Sequence, residues 1–482
     1  MIVSRIERHV PTMLAQAYLA ASGLLFLPSY LAWFRRDFPY TSSEFDPWIG
    51  LLANPLPGRI AHFVLCLIVG LLFVAIARRV DTLPRWLVPA SWVVFAAAVP
   101  AISIDVFFYL AKGWLEFNYG VNPYTVAVNE IPAYAADPIF QSMVPDWLAM
   151  LGNYGPVFQK ISALLAGASG GSPVVGLILF KLLSAVCLLL CRTQLGTIAA
   201  RLGTPMREVD RWFLLNPLVL YCFLTAAHND TLLMLAVLLG ITHILQRHYW
   251  SAGCWVGVSI SLKTIGVFLL PVLFVYLIID RPLRDALIAA GKGAAGLSLG
   301  LLPPFALYQH SLDVTLAYIG GYAQGVRSSV FVLLDPLVGA AGLPAAMTPL
   351  ELGRLSFCLV ACWRLYRNAK IHRADPARFL IVSSFEIVLL AQLMTIPMMN
   401  EWYLFWPMCF AFCLNDIAAR RWMVKLSVVY LPVVVWAIRG EAAVAFVAQL
   451  TILCVLLMSA FDYFRDGRPR ACARTSLSSS SA

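Results

Sequence analysis

The sequence predicts an all-α fold: a polytopic transmembrane helical bundle of about 12–14 spans, with interfacial helices in a large outer loop. Of the 482 residues, 61% are hydrophobic and only 12% are charged, and the mean hydropathy is +0.79. A soluble domain carries about 25% charged residues. Apolar runs long enough to cross a bilayer recur along the whole chain, which excludes the soluble classes.

Charged and turn residues divide the apolar sequence into candidate elements. They predict spans at 11–34, 59–78, 86–103, 172–191, 211–227, 230–246, 249–262, 264–279, 286–308, 351–366, 378–397, 402–415, 422–438 and 442–463. Segments 154–168 and 329–347 are expected to be interfacial helices or further spans. Three regions follow: an N-terminal transmembrane hairpin (1–85), a main transmembrane module (86–463) and a disordered cytoplasmic tail (464–482).

The basic residues predict the orientation of the bundle. Lys and Arg concentrate on the cytoplasmic side of membrane proteins. An N-terminus inside the cell puts most of them on that side, including Arg78 and Arg79, although Arg35 and Arg36 then fall outside. The expected location is the plasma membrane. The net charge of +10 does not indicate a nucleic-acid partner, because the basic residues are scattered at span ends.

The predicted outer loop 104–158 begins with a carboxylate. On a helix over 104–117, residues Asp105, Tyr109, Lys112 and Glu116 share one face, while the other faces are apolar. This pattern is typical of an amphipathic helix in the membrane interface. The polar face is expected to line a cavity; an ordinary interfacial helix whose polar face meets water would give the same pattern.

Further polar residues in apolar contexts fall on the same predicted side of the membrane. They are His228, Asn229 and Asp230, Lys263, the loop residues Tyr318, Tyr322 and Arg327, and Asn400, Glu401, Trp402 and Tyr403. A charge at membrane depth is costly and usually faces a cavity or a partner. One such residue could lie at a span end by accident. Several clusters on one side of the membrane, from distant parts of the chain, instead predict one common site.

A divalent metal is possible at this site, and no cofactor is certain. His228, Asp230 and Asp105 are residue types that bind several divalent ions. The alternative is a hydrogen-bonded corner in which Asn229 and Asp230 serve as turn and N-cap residues.

Short motifs in this region resemble a known enzyme family. They are Asp105, Tyr109 and Gly113 at spacings of four, then "GVNPY" from Gly120, "YGP" from Tyr154, "NPL" from Asn216 and "AHND" from Ala227. Their order resembles the GT-C glycosyltransferases, above all the bacterial polyprenol-phosphate-mannose-dependent alpha-1,6-mannosyltransferases. The resemblance covers roughly 100–280 and extends more loosely to about 410.

The resemblance implies a membrane enzyme that moves a hexose, with mannose favoured, from a polyprenyl-phosphate-sugar donor to a glycan or glycolipid acceptor at the outer face. It implies that Asp105 is the general base and that Lys263 and Arg327 hold the donor phosphate. The expected substrate-binding residues are Tyr109, Lys112, Asn122, Tyr124, Tyr154, His228, Asp230, Lys263, Arg327 and Glu401. One base with no evident second carboxylate nucleophile predicts direct displacement with inversion.

Two other classes of membrane protein share some of these features. A secondary transporter would place its polar groups near the midplane, often with internal symmetry, and no repeat is visible here. A polysaccharide polymerase or ligase would share the lipid substrate. It would be expected to carry arginines in a large late outer loop, where Arg327 is the clear candidate.

Overall fold

The protein is an assembly of helices. The computed structural model describes residues 2–30, 55–100, 103–314, 316, 349–395 and 400–437, with parts of 454–464, and these contain helices but no strands. The principal helices are α1 Ile2–Leu25, α2 Pro55–Arg79, α3 Leu87–Ala97, α4 Asp105–Tyr119, α5 Pro156–Ala168, α6 Pro173–Arg201, α7 Met206–Phe213, α8 Pro217–Leu220, α9 Asp230–Leu245, α10 Tyr249–Leu262, α11 Leu270–Asp280, α12 Leu283–Ala306, α13 Pro349–Ile371, α14 Pro376–Thr395, α15 Phe405–Cys413 and α16 Ile417–Ala437. The predicted all-α fold is confirmed.

Several helices are long and apolar enough to cross a membrane. Among the described residues these are Ile60–Arg79, Pro173–Arg201, Leu283–Ala306 and Pro376–Thr395. The pair Pro217–Thr225 and Asp230–Leu245, bent by 115°, makes a fifth candidate if it is one broken span. The chain is therefore a multi-pass membrane protein. The count of about 12–14 spans stays a prediction, and segments 329–347 and 465–482 lie outside the described residues.

The predicted span 211–227 is broken, and the local sequence explains the break. Asn216 caps α8 by accepting hydrogen bonds from the backbone N–H groups of Leu218 and Val219, and Pro217 occupies the first helical turn. One turn of π-helix, Tyr221–Thr225, follows. Ala227 then adopts a φ of +54°, a conformation that residues other than glycine rarely take. This strained corner lies directly before Asp230, the first residue of α9.

Helices α10 and α12 pack backbone to backbone through glycines. A Cβ atom added to Gly253 would lie 1.9 Å from the carbonyl oxygen of Gly293, and one added to Gly300 would lie 2.2 Å from that of Cys254. At the end of this contact the Ser261 hydroxyl donates to the Gly300 carbonyl at 3.1 Å. Because Lys263 follows α10 directly, the glycine contact fixes its backbone against α12.

The helix predicted over 104–117 forms as α4, and other helices pack against both its apolar and its polar residues. Its residues from Val106 to Gly113 are all buried, so the first half of the helix packs inside the protein, and its location at the membrane interface stays a prediction. Helix α5 covers its polar face: Gly113 contacts the Ser162 backbone, and Gln159 donates to Glu116 at 3.1 Å. Periodicity along α4 could not reveal that a second helix supplies these polar partners.

Adding one methyl group at two glycines of α12 tests the close contact. Gly300→Ala places a Cβ against the Cys254 backbone, so we expect the free energy of unfolding to fall by about 1–3 kcal/mol. Gly291→Ala is the matched control, since nothing lies within 4 Å of its Cβ position. That change is expected to be neutral or to stabilise the helix by about 0.5–1 kcal/mol. Thermal unfolding in detergent measures both; equal midpoints would contradict the contact.

Candidate active site

Asp105 lies at the start of α4 with its carboxylate only partly exposed. Its Oδ2 accepts a hydrogen bond from the Tyr154 hydroxyl at 3.1 Å, and its Oδ1 accepts one from the Ser103 hydroxyl at 3.2 Å. A carboxylate at a helix N-terminus also interacts favourably with the helix dipole. Burial raises the pKa of Asp105, while the hydrogen bonds from Tyr154 and Ser103 act in the opposite direction. The result is a carboxylate of increased basicity.

His228 connects Asp105 to the strained corner before α9. Its Nδ1 lies 3.9 Å from Asp105 Oδ2 and 3.3 Å from the Tyr109 hydroxyl. Its ring stacks on Trp402 with centroids 3.7 Å apart. The imidazole is completely buried, and its Nε2 has no hydrogen-bond partner among the described residues. A group held this firmly by its neighbours suits positioning of Asp105 or of a bound sugar.

Asp230 and Lys263 form an ion pair beside this group. Lys263 Nζ lies 3.0 Å and 3.2 Å from the two carboxylate oxygens of Asp230. The Trp406 indole donates to the same carboxylate at 2.6 Å. Asp230 is fully buried, whereas the Lys263 side chain is 17% exposed. The lysine is therefore the member of the pair that a ligand can reach.

Three aromatic rings surround the Lys263 ammonium. Its Nζ lies 4.6 Å from the ring centroid of Tyr403, 5.3 Å from that of Trp406 and 5.7 Å from that of Tyr154. Aromatic faces attract a cation at these distances. The rings restrict the lysine side chain, whose exposed part can still approach an anionic ligand.

Glu401 supplies a second carboxyl group close to Asp105. Its side chain is buried, and its Oε1 has no partner within the described part of the chain. Burial raises the pKa of Glu401 to about 8, and the charge of Asp105 contributes in the same direction. Near neutral pH this group is largely protonated, so it can donate a hydrogen bond that an ionised carboxylate could not.

The structure brings most of the predicted site residues together. One cluster contains Asp105, Tyr109, Tyr154, His228, Asp230, Lys263 and Glu401. Tyr124 lies behind it and donates its hydroxyl proton to the Tyr154 carbonyl at 2.6 Å. Asn122 shapes the turn by accepting from the Tyr124 N–H at 3.0 Å. Arg327 lies outside the described residues.

Lys112 does not line a cavity as expected. It is only 2% exposed, and its ammonium donates to the Met150 carbonyl. Burial lowers the pKa of Lys112 to about 8. It therefore ties the loop after α4 to the helix, and a role in substrate binding remains a prediction.

The described residues contain no group of three His, Cys, Asp or Glu side chains that could hold a metal ion. Asp230, one of the three residues considered for a metal, already has an ammonium 3.0 Å from its carboxylate. A cation in that place repels a metal ion. The residues around Asp105 therefore do not fit a divalent ion.

Three aromatic residues after Glu401 contact the cluster around Asp105, and of these the sequence pattern predicted Trp402 and Tyr403 but not Trp406. Trp402 stacks on His228, Tyr403 faces Lys263, and Trp406 binds Asp230. Gln392 of α14 orients this segment by donating to the Tyr403 carbonyl at 2.5 Å. Trp406 could have been predicted from its spacing of four residues from Trp402, which places both on one helix face directly after the Glu401 carboxylate.

Comparison with known proteins identifies the family. The family model described as alpha-(1->6)-mannopyranosyltransferase, N-terminal domain, matches residues 19–279, which include Asp105, His228 and Lys263. Alpha-(1->6)-mannopyranosyltransferase A of Mycobacterium tuberculosis is 25% identical over 387 residues, covering 76% of this chain and 68% of that protein. The protein of the same name from Corynebacterium glutamicum is 27% identical over 175 residues, covering 36% of this chain and 34% of that protein. The family model covers more than half of the chain, which therefore belongs to the alpha-(1->6)-mannopyranosyltransferase family of membrane glycosyltransferases.

Proposed function

We propose that this protein transfers mannose from a polyprenyl-phosphate-mannose donor to a glycan or glycolipid hydroxyl at the outer face of the plasma membrane, with inversion. The observation that carries the proposal is a partly exposed Asp105 carboxylate close enough to Lys263 to feel its charge, while the Lys263 side chain is itself 17% exposed and paired with Asp230. Burial raises the pKa of Asp105, and the charge of Lys263 opposes that shift in part. Relatives named as mannopyranosyltransferases support mannose as the sugar.

Asp105 acts as the general base. The acceptor hydroxyl attacks the anomeric carbon of the donor while its proton passes to the Asp105 carboxylate. The bond between the anomeric carbon and the phosphate oxygen breaks at the same time, and polyprenyl phosphate leaves with the bonding electrons. One displacement inverts the anomeric carbon. General-base assistance of this kind contributes roughly 10²- to 10⁴-fold in rate.

Lys263 stabilises the leaving phosphate as negative charge develops on it. Its ammonium has three protons, and Asp230 accepts from it at 3.0 Å and 3.2 Å. The Asp230 carboxylate and the rings of Tyr403 and Trp406 hold the nitrogen in place before the donor arrives. Because the phosphate enters a prearranged site, little reorganisation accompanies the reaction. Arg327 remains a second candidate for the phosphate.

Membership of the glycosyltransferase family sets aside a transporter and a polysaccharide polymerase or ligase. The apolar helices are long enough to cross a bilayer, and a polyprenyl chain would reside in the same bilayer. Glu401 lies buried beside Asp105, where its raised pKa favours a neutral carboxyl over a second negative charge. These features together support a lipid-linked donor and a polar sugar site at the end of the bundle that holds Asp105.

Replacement of the base tests the central step. Asp105→Asn keeps the shape of the side chain but cannot accept the proton, so we expect sugar transfer to fall at least about 100-fold while donor binding persists. Asp146→Asn is the control, because Asp146 is an exposed carboxylate of the same loop. Transfer of radiolabelled mannose by the purified enzyme is the measurement. Activity above about a third of wild type in Asp105→Asn would exclude Asp105 as the base.

Two variants separate phosphate binding from structural pairing at Lys263. Lys263→Ala leaves the buried Asp230 charge unpaired, which typically costs about 3–5 kcal/mol of stability. Adding Asp230→Asn removes that charge and keeps an oxygen for the Trp406 indole. We expect the double variant to recover the unfolding temperature but not the donor affinity. Recovery of transfer together with stability would show that Lys263 is only a structural partner.

The pH dependence of transfer reports the ionisation of Asp105. A base with a raised pKa becomes protonated at a higher pH than an ordinary carboxylate. We therefore expect kcat/KM to fall as the pH is lowered, with the midpoint of this acid limb above the usual carboxyl pKa. Tyr154→Phe removes a hydrogen bond that lowers this pKa and should move the acid limb to higher pH. Tyr30→Phe, which alters a hydrogen bond to Val94 elsewhere, should leave the limb in place. An unmoved limb in Tyr154→Phe would contradict the assignment.

Labelling with an impermeant thiol reagent tests the outer location of the site. The 11 native cysteines are first replaced, and single cysteines are then introduced by Ala135→Cys or Gln246→Cys. Ala135 lies in the exposed loop after α4, and Gln246 lies at the end of α9 far from Asp230. Basic-residue topology predicts labelling of position 135 in intact cells and protection of position 246 until the cells are lysed. The opposite pattern would place the site inside the cell.

A further inference from the structure

Two residues directly before α5, Tyr154 and Gly155, connect the base of the proposed reaction to its cation. The Tyr154 hydroxyl donates to Asp105 Oδ2 at 3.1 Å. The ring of the same residue has its centroid 5.7 Å from the Lys263 ammonium. One side chain therefore contacts both charged groups, the carboxylate through its hydroxyl and the ammonium through its ring.

Gly155 brings the backbone of this connection against the end of α10. Its N–H donates to the Leu262 carbonyl at 3.2 Å, and Leu262 directly precedes Lys263. A Cβ atom at position 155 would lie 2.1 Å from the Ser261 carbonyl oxygen. The φ of Gly155 is −65°, which any residue can adopt, so it is the close approach that requires glycine. The contact therefore sets how near the backbone of Tyr154 lies to that of Lys263.

Both sides of this contact are held by further hydrogen bonds and packing. On the α10 side, the Ser261 hydroxyl donates to the Gly300 carbonyl of α12 at 3.1 Å. On the other side, the Tyr154 carbonyl accepts from the Tyr124 hydroxyl at 2.6 Å. The Tyr154 ring also packs edge-on against Tyr109 of α4, with centroids 5.0 Å apart. The connection is thus a rigid link between α4 and the end of α10.

The corner before α9 links the same two groups independently. His228 Nδ1 lies 3.9 Å from Asp105 Oδ2, and Asp230 pairs with Lys263 at 3.0 Å. Pairing the Asp230 charge with an ammonium does not require the backbone before α5 to touch the end of α10. Two separate segments therefore hold one carboxylate and one ammonium at a set spacing.

Direct displacement gives this spacing a chemical purpose. The attacking acceptor oxygen and the leaving phosphate oxygen lie on opposite sides of the anomeric carbon. The group that takes the proton and the group that binds the phosphate must therefore stay a fixed distance apart. A misplacement of about 1 Å between reacting groups can slow a reaction about 100-fold.

We infer that Tyr154 and Gly155 form a spacer that sets the separation of Asp105 and Lys263, with Gly155 as a positioning residue of the transfer reaction. The inference rests on the proposed roles of that carboxylate and that ammonium. Gly155 itself contacts neither substrate in this reaction. It acts through the Tyr154 hydroxyl on one side and through the backbone before Lys263 on the other.

Gly155→Ala tests the spacer. The added methyl group has to move Tyr154 or the end of α10 by about 1 Å, so we expect kcat for mannose transfer to fall at least about tenfold. The KM for the polyprenyl-phosphate-mannose donor should change less than about threefold, because Lys263 keeps its contact with the phosphate.

Gly253→Ala is the matched control. A Cβ atom there would lie 1.9 Å from the Gly293 carbonyl oxygen, a collision as close as that at Gly155 but at the end of α10 far from Lys263. This variant should lower the unfolding midpoint by a similar amount and keep kcat within about twofold of wild type. An equal loss of kcat in Gly253→Ala would overturn the inference, because general loosening would then explain both variants.

Combination with Asp105→Asn separates misplacement of the base from loss of stability. When the base is absent its position no longer matters, so adding Gly155→Ala should reduce kcat less than about threefold further. The same fold loss in both backgrounds would show that the glycine acts through the fold alone. Undiminished kcat in Gly155→Ala, with Asp105→Asn inactive, would exclude the spacer and leave the proposed function intact. Full transfer by Asp105→Asn would remove both.

A second variant covers the case in which Gly155→Ala does not fold. Tyr124→Phe removes the hydroxyl that donates to the Tyr154 carbonyl and adds no atoms. The less restrained spacer should lower kcat several-fold at an unchanged KM for the donor, and this effect should disappear in the Asp105→Asn background. An unchanged kcat in Tyr124→Phe would count against the spacer.

Discussion

The buried carboxylate of Asp230 imposes the constraint on which the site depends. A fully buried charge is tolerated only when it is paired and hydrogen-bonded, and Asp230 obtains both from Lys263 and Trp406. These three residues come from the start of α9, the end of α10 and the start of α15. Pairing one charge therefore fixes the relative positions of three helix ends. The same contacts place the lysine where its ammonium is partly exposed and surrounded by aromatic rings.

The corner before α9 shows how local strain contributes to this arrangement. Ala227 has a φ of +54° and follows a turn of π-helix, and both features occur frequently at functional sites. The chain bends by 115° here, His228 contacts Asp105, and Asp230 pairs with Lys263 in the same cluster. A continuous helix would separate these side chains by about 200° of rotation. The strain is offset by the stacking on Trp402 and the pairing with Lys263.

The sequence predicted the members of the site better than it predicted their surroundings. Asp105, His228, Asp230, Lys263 and Glu401 could be found because each polar group in an apolar segment is costly and needs a partner. Trp406 was not found, since aromatic residues are common in membrane helices and a single tryptophan carries no such signal.

The contacts around these residues were predicted less well, because they depend on elements that lie elsewhere in the sequence. The burial of Lys112 depends on Met150 and on helix α5, which helical periodicity along α4 does not contain. The break within 211–227 was missed although Asn216 and Pro217 are a helix-start signal, because overall hydropathy outweighed it. Local patterns thus identify the elements and the costly residues, while the contacts between elements decide which faces are open.

The glycine contact between α10 and α12 limits how the enzyme can move. With backbones touching along Gly253, Gly257, Gly296 and Gly300, there is no layer of side chains that could slide or repack. The two helices therefore behave as a single rigid body that carries Lys263 at one end. Any motion of Lys263 relative to the rest of the site therefore has to carry α12 along with α10. The ammonium of Lys263 thus belongs to a two-helix unit and not to an independently movable segment.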